Sequence, residues 1–119
     1  MNKPTRTYDL YELVKVPFPF TESTSAKVRP ALILSGARHF NAKLGLSIMA
    51  MVTSLKLSKY LWPTDVVIED LDSAGLPIPS IIRFKLFTLD HRLIIDRLGV
   101  LSPKDRSHVQ EKLREVLAL

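Results

Sequence analysis

Alternation of apolar and polar positions is the main signal along most of the chain. Over residues 14–20 the apolar side chains alternate with Lys15, Pro17 and Pro19, which is the period of two of a half-buried strand. The prolines fall on the outward phase, which favours a sheet edge or a strand end. Alternating or continuous apolar runs predict four further strands, at residues 31–35, 46–53, 65–69 and 80–89.

The spacing of apolar residues changes near the C-terminus. Ser102, Pro103 and Asp105 supply an N-cap residue, a proline at the first helical position and an acid three residues after the cap. A helix is therefore predicted from Pro103 to Leu117. Its apolar stripe follows the helical period, with charged residues on the other face, and consists of Val109, Leu113, Val116 and Leu117.

The order of these elements predicts a mainly β fold. Residues 70–79 contain a glycine and prolines and predict a loop, and residues 91–94 predict a helical turn before a short strand that ends at Val100. Five short strands followed by one amphipathic helix indicate a small, strongly bent barrel with the helix packed on it. A chain of 119 residues fits a single domain, residues 1–119.

Composition narrows the cellular setting. The chain has no cysteine, which excludes disulfides, thiolate zinc sites and a cysteine nucleophile, and which suits a reducing cytosol. The first residues turn acidic before any long apolar stretch, so they do not predict a signal peptide, and no apolar run approaches the roughly 18 residues of a membrane span. We expect a cytoplasmic protein that makes no membrane contact. Its net charge of +5 favours polyanionic partners.

Metal catalysis is not expected from the sequence, and no cofactor is predicted. The three histidines are His39, His91 and His108, and no two of them stand four residues apart with an acid at ligand spacing. The four glycines are scattered, so they do not form a phosphate-binding loop.

Two polar features stand at strand ends. Arg29, with Lys27 beside it, precedes an apolar strand, and Pro30 biases the arginine toward extended backbone. Thr53 and Ser54 end another strand. Two interpretations remain open at this point. Either these residues solvate strand ends, or neighbouring antiparallel strands bring them together as a cationic fork beside hydroxyl donors, which is a phosphate site.

The same residues resemble a known family. ELVKVPFPFTESTSAKVRPALILSG resembles the first hairpin of the MazF/PemK toxins, small endoribonucleases of type II toxin–antitoxin pairs. IMAMVTS resembles the family's strand that ends in Thr-Ser. PSIIRFKLFTLDHRLI followed by RLGVLS resembles its later segment. One position departs from the pattern, because Phe87 stands where many members carry an arginine.

The resemblance implies an SH3-like β-barrel with helices, a homodimer, and cleavage of single-stranded RNA without a metal. It implies that Arg29 and Thr53 are the catalytic pair, and we add Ser54 as a second hydroxyl donor. The residues expected to contact RNA are Lys27, Lys56, Lys59 and Ser80. A cognate antitoxin is the expected protein partner, covering the basic groove with an acidic segment.

RNA carries its own nucleophile, the 2′-OH, so the protein would only need to hold the phosphate in line and stabilise its developing charge. Arg29 and Thr53 suit those two tasks. The sequence does not identify the base that takes the 2′ proton; Glu22 is an acid near Arg29 in the chain. Two other functions remain open. One is a gyrase-inhibiting toxin of the CcdB kind, against which the C-terminal EVLAL argues, and the other is a non-catalytic barrel that binds RNA or peptide.

Overall fold

The computed structural model describes residues 7–18 and 27–119, and its strands form one sheet. The six strands are β1 Glu12–Pro17, β2 Val28–Ile33, β3 Leu46–Ser54, β4 Val66–Val67, β5 Ser80–Asp90 and β6 Asp96–Val100. Their order across the sheet is β4-β5-β3-β2-β1-β6, and every neighbouring pair is antiparallel. Pro19 and Phe20, at the end of the first predicted strand, and the polar segment after them, which contains Glu22, lie outside the described residues.

The helices lie between the strands and at the end of the chain. A π-helical turn at Ala37–Asn41 leads into α1, Ala42–Leu44; α2 is Leu71–Ala74, a 3-10 turn covers His91–Leu93, and α3 is Pro103–Leu117. The C-terminal helix has the predicted bounds, and its cap is confirmed because the side chain of Ser102 accepts a hydrogen bond from the N–H of Asp105. No helix in the described part of the chain is long and apolar enough to cross a bilayer.

Two buried clusters occupy the two faces of the sheet. The first joins one phase of the strands to α2 and α3, and it includes Leu13, Leu32, Ala50, Val52, Ile82, Phe84 and Val109. The second uses the opposite phase, and it includes Tyr8, Val14, Val16, Ala31, Ile33 and Met49. Burial on both faces explains why β3 is apolar on both of its phases, where a half-buried strand would alternate strictly.

The edge strands are covered by the helices. Asp105, at the start of α3, is fully buried, and its two carboxylate oxygens accept hydrogen bonds from the backbone N–H groups of Glu69 and Asp70, 3.1 Å each, just after β4. On the other edge, α2 touches β6 so closely that a Cβ on Gly99 would lie 2.3 Å from the carbonyl oxygen of Ser73. These contacts hold the helices to both edges of the sheet.

Several predicted details are wrong. Residues 70–79 contain the helix α2, because Asp70 caps it through the N–H of Ser73 and Gly75 ends it in the left-handed conformation. The strand predicted at residues 65–69 is paired only at Val66–Val67. Val116 is not part of the packed face of α3, because its side chain is 37% exposed, and Leu117 is exposed too. The packed residues are Val109, which is buried, and Leu113, which is half-buried. The sheet contact of α3 ends before its last turn.

Candidate active-site cleft

Arg29 and Thr53 stand at the adjoining ends of two neighbouring strands, and both line one cleft. The register between β2 and β3 pairs Ala31 with Met51, and Arg29 and Thr53 each stand two positions beyond that pair. The same two residues belong to the phase of the second cluster, so the apolar face becomes polar where the two strands end. The spatial meeting that the phosphate-site interpretation required is therefore present.

A cleft of about 470 Å³ opens above this pair. It is lined by aromatic, polar and cationic side chains: Phe18, Arg29, Met51, Thr53, Leu57, Ser58, Lys59, Tyr60, Trp62, Arg83 and Lys85. None of these described lining residues is acidic. The cleft thus combines four cationic side chains with three aromatic rings, which is the chemistry of a groove for single-stranded nucleic acid.

Arg29 is half-buried and is held from one side by an aromatic ring. Its guanidinium carbon lies 5.9 Å from the ring centre of Phe18, and the N–H of Phe18 donates to the carbonyl of Lys27 at 2.8 Å. Across residues 7–18 and 27–119, no carboxylate forms an ion pair with Arg29. Its charge is positioned by packing and left for a ligand.

Phe87 supports this arrangement from behind. Its ring meets that of Phe18 edge to face, with centroids 6.2 Å apart, and it packs on the second cluster. The residue that departs from the family pattern therefore contacts the ring under Arg29.

Thr53 and Ser54 do not act on the same face. Adjacent strand residues point to opposite sides of a sheet, so Ser54 points away from the face that Thr53 shares with Arg29. Ser54 lines a neighbouring cavity of about 260 Å³, where it pairs across the strands with Ser80. Arg29 and Thr53 border both spaces, while the Ser80 hydroxyl donates to the carbonyl of Ile78 at 2.8 Å.

The expected basic contacts divide in the same way. Lys59 lines the cleft, whereas Lys27 and Lys56 are exposed and belong to neither of the two cavities. Arg83 and Lys85, which do line the cleft, were not predicted as site residues. The sequence does indicate them, because in the strand at residues 80–89 these charged residues alternate with apolar ones and so share one face.

A shift of register sets where the β5 side chains lie along β3. Ala50 pairs with Leu86 but Met51 pairs with Arg83, so two residues, Phe84 and Lys85, are extra on β5. Because two residues are extra, the alternation of faces along β5 is kept, and Arg83 and Lys85 point to the same side of the sheet. Both line the cleft, and the shift places Arg83 opposite Met51.

Arg83 is paired, unlike Arg29. It binds Asp65 through two hydrogen bonds of 3.1 and 2.7 Å, and the two side chains are 14% and 3% exposed. Arg83 also donates to the carbonyl of Tyr60 at 2.9 Å and lies 4.7 Å from the ring centre of Trp62. Arg83 therefore organises the loop between β3 and β4 instead of offering a free charge.

The histidines lie outside the cleft. His91 is buried against Ser47 and Tyr8, and desolvation lowers the pKa of its imidazole although the neighbouring Asp90 works in the opposite direction. His108 has two carboxylates close in space, since its ligand atom lies within 4.8 Å of those of Asp105 and Glu69, although no spacing in the sequence indicated this cluster. Both carboxylates already have partners, since Asp105 accepts backbone N–H groups and Glu69 pairs with Lys104.

Comparison with protein families gives one match over most of the chain. The model of the PemK-like, MazF-like toxins of type II toxin–antitoxin systems matches residues 10–117. No curated protein sequence matches the chain.

Solved structures of similar fold come from bacteria. A MazF from Deinococcus radiodurans is 24% identical with a TM-score of 0.73, and the match covers 96% of this chain and 99% of that one. An endoribonuclease from a mycobacterial species, in complex with its cognate antitoxin, is 17% identical with a TM-score of 0.74 over 94% and 96% of the two chains. The Mycobacterium tuberculosis toxin MazF-mt6 is 19% identical with a TM-score of 0.67 over 91% and 97%. These likenesses confirm the expected fold, a curled β-sheet with a C-terminal helix.

Proposed function

Because the chain belongs to the PemK-like, MazF-like toxins of type II toxin–antitoxin systems, we propose that it is an endoribonuclease that cuts single-stranded RNA without a metal ion. The observation that carries the proposal is the meeting of Arg29 and Thr53 at the bottom of a cationic, aromatic cleft. The family match gives no support to the gyrase-inhibiting alternative or to a non-catalytic binding barrel.

Arg29 would bind the scissile phosphate. Its planar guanidinium can grip two phosphate oxygens, and it carries no competing carboxylate within the described residues. The negative charge on the phosphate grows as the 2′-OH attacks, and a fixed cation stabilises that developing charge more than the ground state. The guanidinium stays protonated, so it stabilises charge and donates a hydrogen bond to the leaving 5′-oxygen, but it is not the base. The 5′-oxygen takes its proton from solvent, which balances the proton that the 2′-OH loses.

Thr53 would donate a hydrogen bond to a phosphate oxygen. It is 7% exposed and lines the cleft with Arg29, so its hydroxyl is held in place. We assign Ser54 and Ser80 to a different contact, with the RNA chain beyond the scissile phosphate, because both line the neighbouring cavity. The base that takes the 2′ proton is not among the assigned residues, and Glu22, the acid near Arg29 in the sequence, lies outside the described part of the chain.

The charge of the cleft also indicates which protein could bind there. We propose that the cognate antitoxin covers the cleft with an acidic segment, since the described lining offers cations and no acid. We also propose a homodimer and a cytoplasmic site of action, where messenger RNA is translated. A monomer mass by light scattering at tens of micromolar would remove the dimer from this proposal.

The test of the reaction is cleavage of a long single-stranded RNA in EDTA. We expect products with a 2′,3′-cyclic phosphate and a 5′-OH. Once the cut bond is mapped, a single 2′-deoxy substitution on its 5′ nucleotide should abolish cleavage while binding survives, because the attacking group is gone. Continued cleavage at that bond would mean that water attacks, and the proposed mechanism would be abandoned.

A further inference from the structure

The loop between β3 and β4 carries large apolar side chains that the fold leaves in solvent. Among them, Tyr60 is 82% exposed and Trp62 is 43% exposed, and both line the cleft that holds Arg29. Exposed aromatic rings grouped in one place mark an interaction surface more often than isolated apolar residues do. The question is which partner these rings fit.

The ring of Trp62 is held in place by a chain of charged contacts. Asp65 accepts the backbone N–H of Trp62 at 2.8 Å and binds Arg83 through two hydrogen bonds. The guanidinium of Arg83 then stacks over the indole, 4.7 Å from its centre. Because Arg83 and Asp65 are both largely buried, one side of the ring is fixed and the remaining surface of Trp62 is offered to the cleft.

We propose that Trp62 is a stacking platform for an RNA base next to the scissile phosphate, with Tyr60 beside it. This inference rests on the proposed function and deepens it. Cations at Arg29 and Lys59 suit the sugar–phosphate chain, and a pre-fixed ring loses little conformational freedom when a base stacks on it. No acidic residue stands among the described lining, so a nucleic acid fits the cleft better than a cationic or neutral peptide.

The chain offers a direct probe, since Trp62 is its single tryptophan. Stacking of a base on the indole should quench its fluorescence. The ligand is a 20-nucleotide pool of random sequence with 2′-O-methyl groups, which lacks the attacking hydroxyl and so stays intact. An abasic sugar–phosphate chain of the same length supplies charge without bases. We expect strong quenching with the base-containing pool and little with the abasic chain.

Variants at Trp62 and at Lys59 separate stacking from charge. Trp62→Ala should weaken binding of the pool by about 5- to 100-fold, followed by fluorescence anisotropy of a labelled pool, and should leave the salt dependence unchanged. Trp62→Phe should retain most of the affinity. Lys59→Ala should instead reduce the slope of log affinity against log salt by about 1. Leu44→Ala, at an exposed residue that does not line the cleft, is the matched control and should bind as the unchanged chain does.

The outcomes distinguish this inference from the proposed function. If the unmodified protein cuts RNA but Trp62→Ala binds the pool as tightly as the parent, or the pool leaves the fluorescence unchanged, the platform is wrong and the ribonuclease proposal stands. If the pool quenches the fluorescence but the protein cuts no RNA, the stacking role of Trp62 is confirmed and the ribonuclease proposal is wrong. The protein would then be a non-catalytic RNA-binding barrel. If only an acidic peptide changes the fluorescence, the surface belongs to a protein partner, and the base platform is wrong.

Discussion

The surroundings of Asp105 and of Arg29 differ in whether the charged side chain has partners within the protein. Asp105 is fully buried, and both of its oxygens accept backbone N–H groups from the segment after β4. Arg29 lies on the opposite face of the sheet, supported by the ring of Phe18, with no ion-pair partner among the described residues. The carboxylate of Asp105 therefore joins two parts of the fold, whereas the guanidinium of Arg29 lines a cleft that a ligand can enter.

The contrast separates stability from function. A satisfied buried carboxylate ties two elements together, so its loss leaves backbone donors without partners. A cation without a partner contributes little to the fold, and a ligand gains its full interaction. Arg83 lies in the same cleft but contributes to stability, because its guanidinium already pairs with Asp65. Of the two arginines that line the cleft, Arg29 is the one proposed to bind a ligand, because no carboxylate among the described residues pairs with it, whereas Asp65 pairs with Arg83.

The largest effect is expected from Arg29→Ala. It removes the proposed charge stabiliser, so the rate of RNA cleavage should fall by roughly 10²–10³-fold or more. The free energy of unfolding should change by less than about 1 kcal/mol, because the described contacts of Arg29 amount to a cation–π approach. Cleavage rates and urea unfolding of the same preparation measure both quantities.

Arg29→Lys is the matched variant for this prediction. It keeps the charge but replaces the planar fork with a point ammonium, so it should not restore the rate. Full activity in Arg29→Lys would reduce the role of this residue to general attraction of the phosphate.

Asp105→Ala tests the other side of the comparison. Two backbone N–H groups lose their acceptor, and at about 1–3 kcal/mol for each the free energy of unfolding should fall by about 2–6 kcal/mol. Asp105→Asn keeps the shape and one acceptor oxygen, so it should lose about half as much. Cleavage by the folded fraction should be unchanged in both variants. A specific loss of cleavage in a fully folded Asp105→Asn would connect this corner to the site.

A smaller pair of effects sharpens the picture of α3. Leu113 is half-buried against the first cluster, so Leu113→Ala should lower the free energy of unfolding by about 1–3 kcal/mol. Val116 is exposed, and Val116→Ala should stay within about 0.5 kcal/mol. Both can be read from urea unfolding at low protein concentration. A large, concentration-dependent loss for Val116→Ala would mean that a second copy covers the end of the helix.

Local signals in the sequence predicted most elements, and they failed where distant residues decide. The cap at Ser102 and the period of α3 are local, and both were found. The exposure of Val116 was missed because it depends on where the sheet ends beneath the helix, not on helical spacing. The helix α2 carried local signals, Asp70 before it and Gly75 after it, but the neighbouring prolines favoured a loop.

The site divides in the same way. Arg29 and Thr53 were predicted because both stand at strand ends in a recognisable pattern. The pairing of Arg83 with Asp65 joins residues 18 positions apart, and the register shift that places Arg83 opposite Met51 is not visible in the alternation of residues 80–89. The position of Ser54 on the opposite phase from Thr53 follows from strand geometry alone, and the sequence interpretation grouped the two hydroxyls instead.

The smallest expected effect lies at the far end of the face that carries the cleft. There the hydroxyl of Ser47, the second residue of β3, lies 2.7 Å from Nε2 of the buried His91, and the ring of Tyr8 meets the imidazole edge to face. Burial lowers the pKa of His91 below its ordinary 6.5, with Asp90 acting weakly against the shift. At this end of β3 the hydroxyl of Ser47 is therefore buried against His91, whereas at the other end Thr53 lines the cleft.

This difference predicts how stability depends on pH. Below pH 6.5 the unfolded chain takes up a proton on this histidine while the folded chain resists it, so the contribution is fully present above that pH and is lost as pH falls. Asp90, with a pKa lowered to about 2 chiefly by its hydrogen bond with Arg92, titrates below this range. Urea midpoints from pH 8 to pH 5 should therefore decline, His91→Gln should flatten the decline, and the exposed His39→Gln should leave it unchanged. An equal slope in His91→Gln and the parent would mean that the pKa of His91 is the same in the folded and the unfolded chain, and that burial does not close this end of the face.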